Sequence, residues 1–320
     1  MREDGLAVAE ITSGPTGLLR LDENGDAMSA TFSIVLYGHD REEMEAAVNA
    51  AFAEVARLDA MLSNHRAESE WSQVNRRAAE GPVKVSAELF QLLYSCMVYS
   101  RESEGAFDIA VGPLKKLWGF HKGFGRLPSP AQVAAVLAKV GYHHVHLDAD
   151  GQTVRFDHKG VELDPGGLGK GYAVDRMADV LRHRGFPIAL VAGSASTIYG
   201  MGAPPTEPKG WRVGIKDPHK PRQTVAEAFL KDMSLSTSGS YEKFFRAEGR
   251  IYGHIMDPRT GYPAHASGSV SVVAPRAIDS EAWAKSYFLN GRQWAEKHKP
   301  EEFRVFFCEG RTEQPCTWLP

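Results

Sequence analysis

The chain has 320 residues, of which 24% are charged and 43% are hydrophobic, and its formal net charge at pH 7 is −3. These proportions are ordinary for a globular protein, and the length suffices for a large core and about two domains. A negative net charge gives no overall attraction to nucleic acid or to anionic membranes, so nucleic acid is not an expected partner and any basic site must be local. No stretch of the sequence is apolar enough to span a bilayer.

The three cysteines, Cys96, Cys308 and Cys316, leave the redox compartment undecided. They form no CxxC pair, which argues against a zinc site. Cys308 and Cys316 are near enough in sequence to form a disulfide if two C-terminal segments meet, whereas the odd count argues against a disulfide framework. The opening residues have neither the apolar core of a signal peptide nor a lipid-attachment cysteine. The expected location is therefore periplasmic or extracytoplasmic if a leader was removed, and cytoplasmic otherwise.

Strands and helices follow one another in mixed order, without the steady alternation of a doubly wound sheet, so the predicted fold class is α+β. The first predicted element is a hairpin over residues 19–36 with its turn at Asn24-Gly25. Apolar residues at helical spacing predict helices over residues 41–62, 86–103 and 278–290. A further short helix is predicted to open at Ser129, which is a suitable N-cap before Pro130.

The other predicted strands are, in chain order, HVHLD, TVRFD, VELD, IALVAGSASTIYG, WRVGIKDP, residues 225–235, SGSVSVVAP and FRVFF. The segment SNHRAESEWSQVN, after the first long helix, is predicted to be a polar loop. We expect residues 19–320 to form a single unit, of one lobe or two, after an N-terminal extension of residues 1–18.

The segment VELDPGGLGKGYAVDR, residues 161–176, carries the clearest chemical pattern. A short strand is predicted to bend through Gly166 and Gly167 into a helix that reaches Leu181. Glycines let backbone N–H groups approach a phosphate closely, the helix N-terminus adds partial positive charge, and Lys170 adds a full charge. The pattern is neither a Walker A motif nor GxGxxG, and by itself it fits equally well a tight turn that binds nothing.

Five segments in order resemble motifs of the ApbE family, the FAD:protein FMN transferases: SEWSQVN, GAFDIAVGPLKKLWGF, LDPGGLGKGYAVD, STSGSYEKFF and HIMDPRTGYP. The resemblance runs from Met28 to Gly291. It implies a single catalytic unit with a two-lobed fold and a flavin site between the lobes. Members cleave the FAD pyrophosphate and join FMN by a phosphoester to a Thr or Ser of an acceptor protein, with release of AMP and usually with Mg²⁺. Some members instead hydrolyse FAD to FMN and AMP.

The resemblance also assigns positions to FAD: Met28, Ala106, Phe107, Asp108, Lys170, Asp175, Ser238 and Gly239. The backbone N–H groups of Gly166 and Gly167 are added as FAD-binding groups, because they are the predicted phosphate-binding amides. Alternatives remain open for Asp108 and for two aromatic residues. Asp108 suits a bond to a nucleotide hydroxyl or amine, but it equally suits a turn cap before Gly112-Pro113. Phe107 and Trp118 suit contact with a flat ring, but such aromatics are more often core.

The proposed transfer needs a base, because a Thr hydroxyl is too weak an acid to ionise alone at neutral pH. His254 in GHIMDPRTG is the candidate base, since the ordinary pKa of histidine, about 6.5, allows it to accept a proton near neutrality. Asp257 is a candidate to orient its ring, and Lys170 is a candidate to neutralise charge on the phosphates. The alternative is that His254 is a strand-end histidine satisfied by backbone groups.

The late helix departs from the family pattern. The family binds its metal with a carbonyl from the glycine-rich loop, here Gly169, and with an Asp and a Thr four residues apart. Glu281 stands at the Asp position and Lys285 at the Thr position. A glutamate can bind Mg²⁺, but a protonated lysine has no lone pair. Three interpretations are open: Lys285 replaces the metal on the pyrophosphate, Lys285 only pairs with Glu281 at i, i+4, or Asp279 supplies the ligand.

Two further departures occur in loops. The family's N-A-G-G-D is here AGSAS, residues 192–196, which loses an acid and an amide. His65 takes the place of a flavin-stacking Tyr. The main prediction is a transferase that uses FAD, with Mg²⁺ uncertain. The alternatives are an FAD-binding or trafficking protein without turnover, and a Mg²⁺-dependent FAD pyrophosphatase.

Overall fold

A computed structural model describes residues 12–13, 17–120, 125–220, 222–239, 244–264, 268–309 and 316–320. The helices are α1 (Arg41–Leu62), α2 (Glu70–Arg77), α3 (Ala87–Glu102), α4 (Gly112–Leu117), α5 (Pro130–Leu137), α6 (Gly169–His183), α7 (Ala277–Asn290) and α8 (Arg292–His298). The strands are β1 (Thr12–Ser13), β2 (Leu19–Ala27), β3 (Ala30–Gly38), β4 (Val83–Lys84), β5 (Val145–Asp148), β6 (Thr153–Phe156), β7 (Ala189–Gly193), β8 (Thr197–Met201), β9 (Trp211–Lys216), β10 (Thr224–Leu230), β11 (Met233–Gly239), β12 (Phe244–Ala247), β13 (Arg250–Gly253), β14 (Gly268–Ala274), β15 (Arg304–Glu309) and β16 (Thr317–Trp318).

The main element is an antiparallel nine-stranded sheet in the order β1-β2-β3-β7-β8-β11-β14-β15-β16. Alternate residues of each strand point to opposite faces. Phe32 and Ile34 of β3 face one side, where α1, α6 and α7 pack into the largest core cluster. Val35 faces the other side, which the β9–β10 hairpin covers with Trp211 and Leu230. This arrangement confirms the α+β prediction.

The other elements are α2–α5, the three-stranded sheet β4-β6-β5 and the β12–β13 hairpin. Of these, α2, α3 and the three-stranded sheet share the largest core cluster, whereas α4, α5 and the hairpin pack into a separate, smaller cluster. Trp118, at the end of α4, is fully buried in a cluster with Leu114, Val133 and Tyr252. Its indole N–H donates to the carbonyl of Gly261 over 2.9 Å. Trp118 therefore belongs to the core of this smaller cluster, as the alternative for this aromatic predicted. Within the described ranges, no helix combines the length and the apolar character that crossing a membrane requires.

The first hairpin turns at Met28-Ser29, so the predicted turn at Asn24-Gly25 was wrong. Met28 and Ser29 have φ of 52° and 58°, the left-handed values that a two-residue hairpin turn requires. Asn24 and Gly25 lie inside β2 and pair with β3. A Cβ on Gly25 would lie 3.0 Å from the ring of Phe52. The glycine therefore serves the packing of α1 on the sheet, a tertiary contact that outweighs its local preference for turns.

Three other local predictions were wrong. The segment predicted as a polar loop contains α2, whose N-cap Ser69 accepts the N–H of Ser72 over 3.0 Å. Residues 161–164 are not a strand, because their backbone groups do not pair with a neighbouring strand. The N–H of Leu163, for example, donates to the side chain of Asn75, with 2.8 Å between the nitrogen and Oδ1. The run IALVAGSASTIYG is two paired strands, β7 and β8, separated by a turn at residues 194–196.

Most predicted helices were confirmed, including the start of α5 at the N-cap Ser129, which also forms a capping box with Gln132. Cys308 and Cys316 form a disulfide, the pairing that the sequence left conditional on two C-terminal segments meeting; it joins β15 to the segment that carries β16. Cys96 is buried in α3. Because the disulfide lies at the edge of the main sheet, it is separate from the predicted flavin site.

Candidate functional site

Two adjoining cavities lie beside the glycine-rich segment. The large cavity, about 510 Å³, is bordered by the β2–β3 turn, the end of α1, α4, the start of α6 and the turn at 194–196. The small cavity, about 30 Å³, lies against α7 and β11. The predicted site residues that line the large cavity are Met28, Gly166, Gly169, Lys170 and His254. Those that line the small cavity are Gly166, Lys170, Ser238, Gly239, His254 and Glu281.

The glycine-rich segment forms a short 3-10 turn, Pro165–Gly167, that leads into α6. Asp164 stabilises this turn by accepting the N–H of Gly166 over 2.8 Å. Lys170 lies in the first turn of α6 and lines both cavities. A lysine at a helix N-terminus combines two sources of positive potential. The helix N-terminus and Lys170 are therefore placed as predicted, but the N–H groups of Gly166 and Gly171 donate to carboxylates of the protein.

Gly171 gives its N–H to Glu281 of α7, with 2.6 Å between the nitrogen and Oε2. The contact requires a glycine, because a Cβ at this position would lie 2.5 Å from the carbonyl oxygen of Ala277. The two helices thus approach each other closely enough for the α7 carboxylate to bind the α6 N-terminus. The N–H of Gly171 belongs to the helix N-terminus that the sequence assigned to phosphate. It is bonded instead to a carboxylate of the protein itself.

Glu281 is buried between two lysines. Its Oε1 lies 3.3 Å from Lys170 Nζ and 3.2 Å from Lys285 Nζ, and its side chain is 3% exposed. Burial alone would raise the pKa of Glu281, but Lys285, Lys170 and the Gly171 N–H together outweigh it and lower the pKa to about 2. The carboxylate is therefore ionised at physiological pH. The predicted i, i+4 pair of Glu281 and Lys285 is present, but it is buried and includes a third group.

These residues do not fit a divalent metal. A Mg²⁺ ion about 2.1 Å from Oε1 would lie within roughly 5.5 Å of both ammonium groups. Each lysine would then repel it by roughly 6 kcal/mol at an effective dielectric of 20. Gly169 lines the large cavity, whereas Glu281 lines the small one. Among the described residues, no group of three or more His, Cys, Asp or Glu side chains could hold a metal ion.

Asp279 does not offer a substitute ligand. Its Oδ1 accepts from Arg276 Nη2 over 2.7 Å and from the hydroxyl of Tyr99, and its Oδ2 accepts from Arg276 Nε over 2.8 Å. It belongs to neither cavity lining. A local shift that turned this carboxylate toward Glu281 would have to break the ion pair with Arg276. The interpretation that Asp279 supplies the metal ligand is therefore not supported.

His254 follows β13 and is half-buried where the two cavities meet. Asp257, three residues later, accepts from Arg259 through the backbone N–H at 3.0 Å, Nε at 2.9 Å and Nη2 at 3.0 Å. These bonds organise the loop that leaves His254. The proposal that Asp257 orients the histidine ring stays a prediction.

Asp175 caps α7 from the side of α6. Its carboxylate accepts the N–H groups of Ala277 and Ile278 over 2.7 and 2.9 Å. Burial raises its pKa to about 7, against the opposing effect of these two bonds. It lies outside both cavity linings. Its observed contribution is to hold the helix that carries Glu281 and Lys285, and its predicted bond to FAD stays untested.

The predicted residues of the GAFD segment lie behind the site. Asp108 is buried and accepts the N–H groups of Ala110 and Tyr142 over 2.7 and 2.6 Å, as a turn cap would; burial raises its pKa to about 7. Phe107 is buried edge-on to Tyr99. Ala106 is buried, and Gly167, like the other predicted residues here, lies outside the linings of the two cavities. Their roles toward FAD stay predictions.

Sequence reasoning missed Lys115. It lines the large cavity and pairs with Asp164, the residue that stabilises the glycine turn. One sequence signal could have pointed to this lysine. It lies two residues after Pro113, in the first turns of a helix that begins at Gly112. His65, which stands at the position of a flavin-stacking Tyr, lines the same cavity.

Comparison with known proteins identifies close relatives. The model of the ApbE family matches residues 28–307. The FAD:protein FMN transferase of Klebsiella pneumoniae (strain 342) is 33% identical over 265 residues, 82% of this chain and 79% of the relative. That of Treponema pallidum (strain Nichols) is 34% identical over 268 residues, 78% of this chain and 72% of the relative. The ApbE protein of Thermotoga maritima superimposes with a TM-score of 0.83 at 26% identity, covering 92% of this chain and 97% of that one.

Proposed function

Since this chain belongs to the ApbE family, we propose that it is an FAD:protein FMN transferase, which joins the FMN part of FAD to a Thr or Ser hydroxyl of an acceptor protein and releases AMP. The family and fold predicted from the five motifs are confirmed. The observation that carries the function is the meeting of Lys170, His254 and Ser238 at two adjoining cavities, from three separate parts of the chain.

The reaction exchanges the phosphoanhydride link of the FAD pyrophosphate for a phosphoester link to the acceptor. The acceptor oxygen attacks the phosphorus on the FMN side, and the bond from that phosphorus to the bridging oxygen breaks. AMP leaves with the bridging oxygen and its electron pair, and the hydroxyl proton passes to a base. His254 is the proposed base, since it lies where both cavities meet. Lys170, at the N-terminus of α6, stabilises the charge on the phosphates.

The cavities suggest how FAD lies. A volume of about 510 Å³ is in the usual range for a small-molecule site. Met28, Leu62 and Phe120 give the large cavity apolar surface for a flat ring, and His65 adds an aromatic one. The small cavity, about 30 Å³, is too small for a whole pyrophosphate, but it admits a phosphate oxygen to Lys170 and Lys285. Mg²⁺ is left out of this mechanism, because the donor set around Glu281 does not fit it.

An alternative function is FAD binding or trafficking without turnover. The observation that favours it is the replacement of metal ligands by the Glu281–Lys285 pair. Both functions predict FAD binding, so binding alone does not separate them.

Co-expression with a candidate acceptor protein separates them. Intact-mass spectrometry of the acceptor is expected to show covalent FMN, with loss of the adduct when the acceptor Thr or Ser is replaced by Ala. AMP is measured in parallel. Bound FAD with neither AMP nor adduct would support the binding protein. AMP released at the same rate without acceptor, and without adduct, would support a pyrophosphatase.

A further inference from the structure

We propose that Lys285 takes the place of a divalent cation at the pyrophosphate of FAD, so that this chain binds FAD without Mg²⁺. The inference rests on the proposed function for the identity of the ligand. It concerns binding rather than transfer, and it can therefore fail separately.

The position of Lys285 supports this role. It lies on α7 one turn after Glu281, and its ammonium group is held 3.2 Å from Oε1 of that residue. It lines the small cavity together with Lys170 and His254. Its side chain is 20% exposed, so water screens the charge of its ammonium group only partly.

One carboxylate brings the ammonium groups of Lys170 and Lys285 together. Both groups lie within 3.3 Å of Glu281 Oε1. Glu281 is 3% exposed and bonded on both oxygens, through Oε1 to the lysines and through Oε2 to Gly171. Its carboxylate therefore positions the two ammonium groups. A phosphate oxygen that reaches the small cavity would meet the ammonium groups of Lys170 and Lys285.

The position of α7 is fixed independently of the ligand. Asp175 holds its N-terminus through two backbone bonds, and Gly171 allows the close approach to α6. Lys285 is thus a positioned charge, and binding need not order it at a large entropic cost.

The first test is calorimetric titration of FAD into the purified full chain, with EDTA and then with excess Mg²⁺. We expect the two dissociation constants to agree within about threefold. The variant K285M should bind FAD at least about tenfold more weakly in both buffers, because it loses a charge-assisted hydrogen bond. K285R, which keeps the charge, should restore most of the affinity. K297M, an exposed lysine of α8, is the matched control.

The second test restores the family's residues at both positions. MgCl₂ alone is titrated into the wild type and into the variant E281D/K285T, after thermal denaturation shows that both are folded. We expect binding of Mg²⁺ only in the variant, and FAD binding that is at least about tenfold tighter with Mg²⁺ than with EDTA.

The outcomes separate the two proposals. FAD binding by the wild type that tightens tenfold or more with Mg²⁺, or that is unchanged in K285M, would overturn the role of Lys285. AMP and adduct that still form in that case would leave the transferase intact while the role of Lys285 is overturned. Metal-independent binding that depends on Lys285, without AMP or adduct under any condition, would support this inference and contradict the transferase. Absence of FAD binding in both buffers would contradict both.

Discussion

The backbone N–H of Gly171 donates to the buried carboxylate of Glu281, with 2.6 Å between nitrogen and Oε2. This bond joins the first turn of α6 to the middle of α7. It places a negative side chain at the positive end of a helix, where the helix dipole stabilises it. The pair of lysines around Glu281 is therefore held by the packing of two helices as well as by charge.

Gly171→Ala should destabilise the protein and weaken FAD binding. The added Cβ would lie 2.5 Å from the carbonyl oxygen of Ala277, so α6 and α7 would have to separate. Overpacking of this kind costs about 1–3 kcal/mol in the free energy of unfolding, measured by urea denaturation. Gly81→Ala is the matched control, because its Cβ would meet no atom within 4 Å. Equal stabilities of the two variants would contradict the proposed need for close contact.

Glu281→Gln should cost about 3–5 kcal/mol of unfolding free energy at neutral pH, because two partly buried ammonium groups lose their carboxylate. The double variant E281Q/K285M should be less destabilised than the sum of the single variants, since the uncompensated charge is then smaller.

The pH dependence of this effect has a definite sign. The pKa of Glu281 is lowered from 4.5 to about 2, so its contribution is present above pH 4.5 and is lost as the pH falls toward 2. The difference between wild type and E281Q should shrink over that window. Glu45→Gln, which breaks an exposed pair with Arg41, should change stability by less than about 1 kcal/mol. If E281Q and E45Q lose similar amounts of unfolding free energy, burial does not strengthen the ion pairs of Glu281.

Local sequence signals were sufficient for the elements whose stability is local. The apolar stripe of α1 predicted its bounds at residues 41–62, and Ser129 with Pro130 predicted the start of α5. They failed where a distant contact decides the outcome. Gly25 looked like a turn residue, but it lies in a strand because Phe52 packs over it. Residues 161–163 looked like a strand, but they have no neighbouring strand to pair with in the described part of the chain.

The same distinction applies to the site. The family motifs predicted Lys170, Ser238 and His254, which come together at the cavities. The i, i+4 spacing showed that Lys285 could reach Glu281. No sequence signal showed that Lys170 would approach the same carboxylate, because that contact depends on how α6 packs against α7.

Asp175→Asn should reduce the pH dependence of stability between pH 4 and 7. Burial raises the pKa of Asp175 from 3.8 to about 7. A carboxyl group whose pKa is higher in the folded state stabilises the fold fully below pH 4 and loses that contribution as the pH rises toward 7. The wild type should thus lose up to roughly 4 kcal/mol relative to the variant over this range. Asp108, whose pKa is raised in the same direction, contributes to both proteins and cancels in the difference.

Urea denaturation at pH values from 4.5 to 7.5 measures this difference. Asp179→Asn removes a partly exposed carboxylate of the same helix, which pairs with Arg182, and serves as the control. Parallel stability curves for wild type and D175N would mean that Asp175 is ionised in the fold throughout this range, held by the N–H groups of Ala277 and Ile278.

His254→Ala should slow the release of AMP and the formation of the FMN adduct by about 10²–10⁴-fold, the usual contribution of a general base. FAD affinity should change by less than about tenfold, because the phosphate-binding charges of Lys170 and Lys285 are retained. His183→Ala, an exposed histidine at the end of α6, controls for loss of a histidine as such. Asp257→Asn should have a smaller effect, since the carboxylate bonds to Arg259 and organises the loop. If H254A keeps a rate within threefold of the wild type while binding FAD normally, the base is another group, and His65, which lines the large cavity, becomes the residue to replace next.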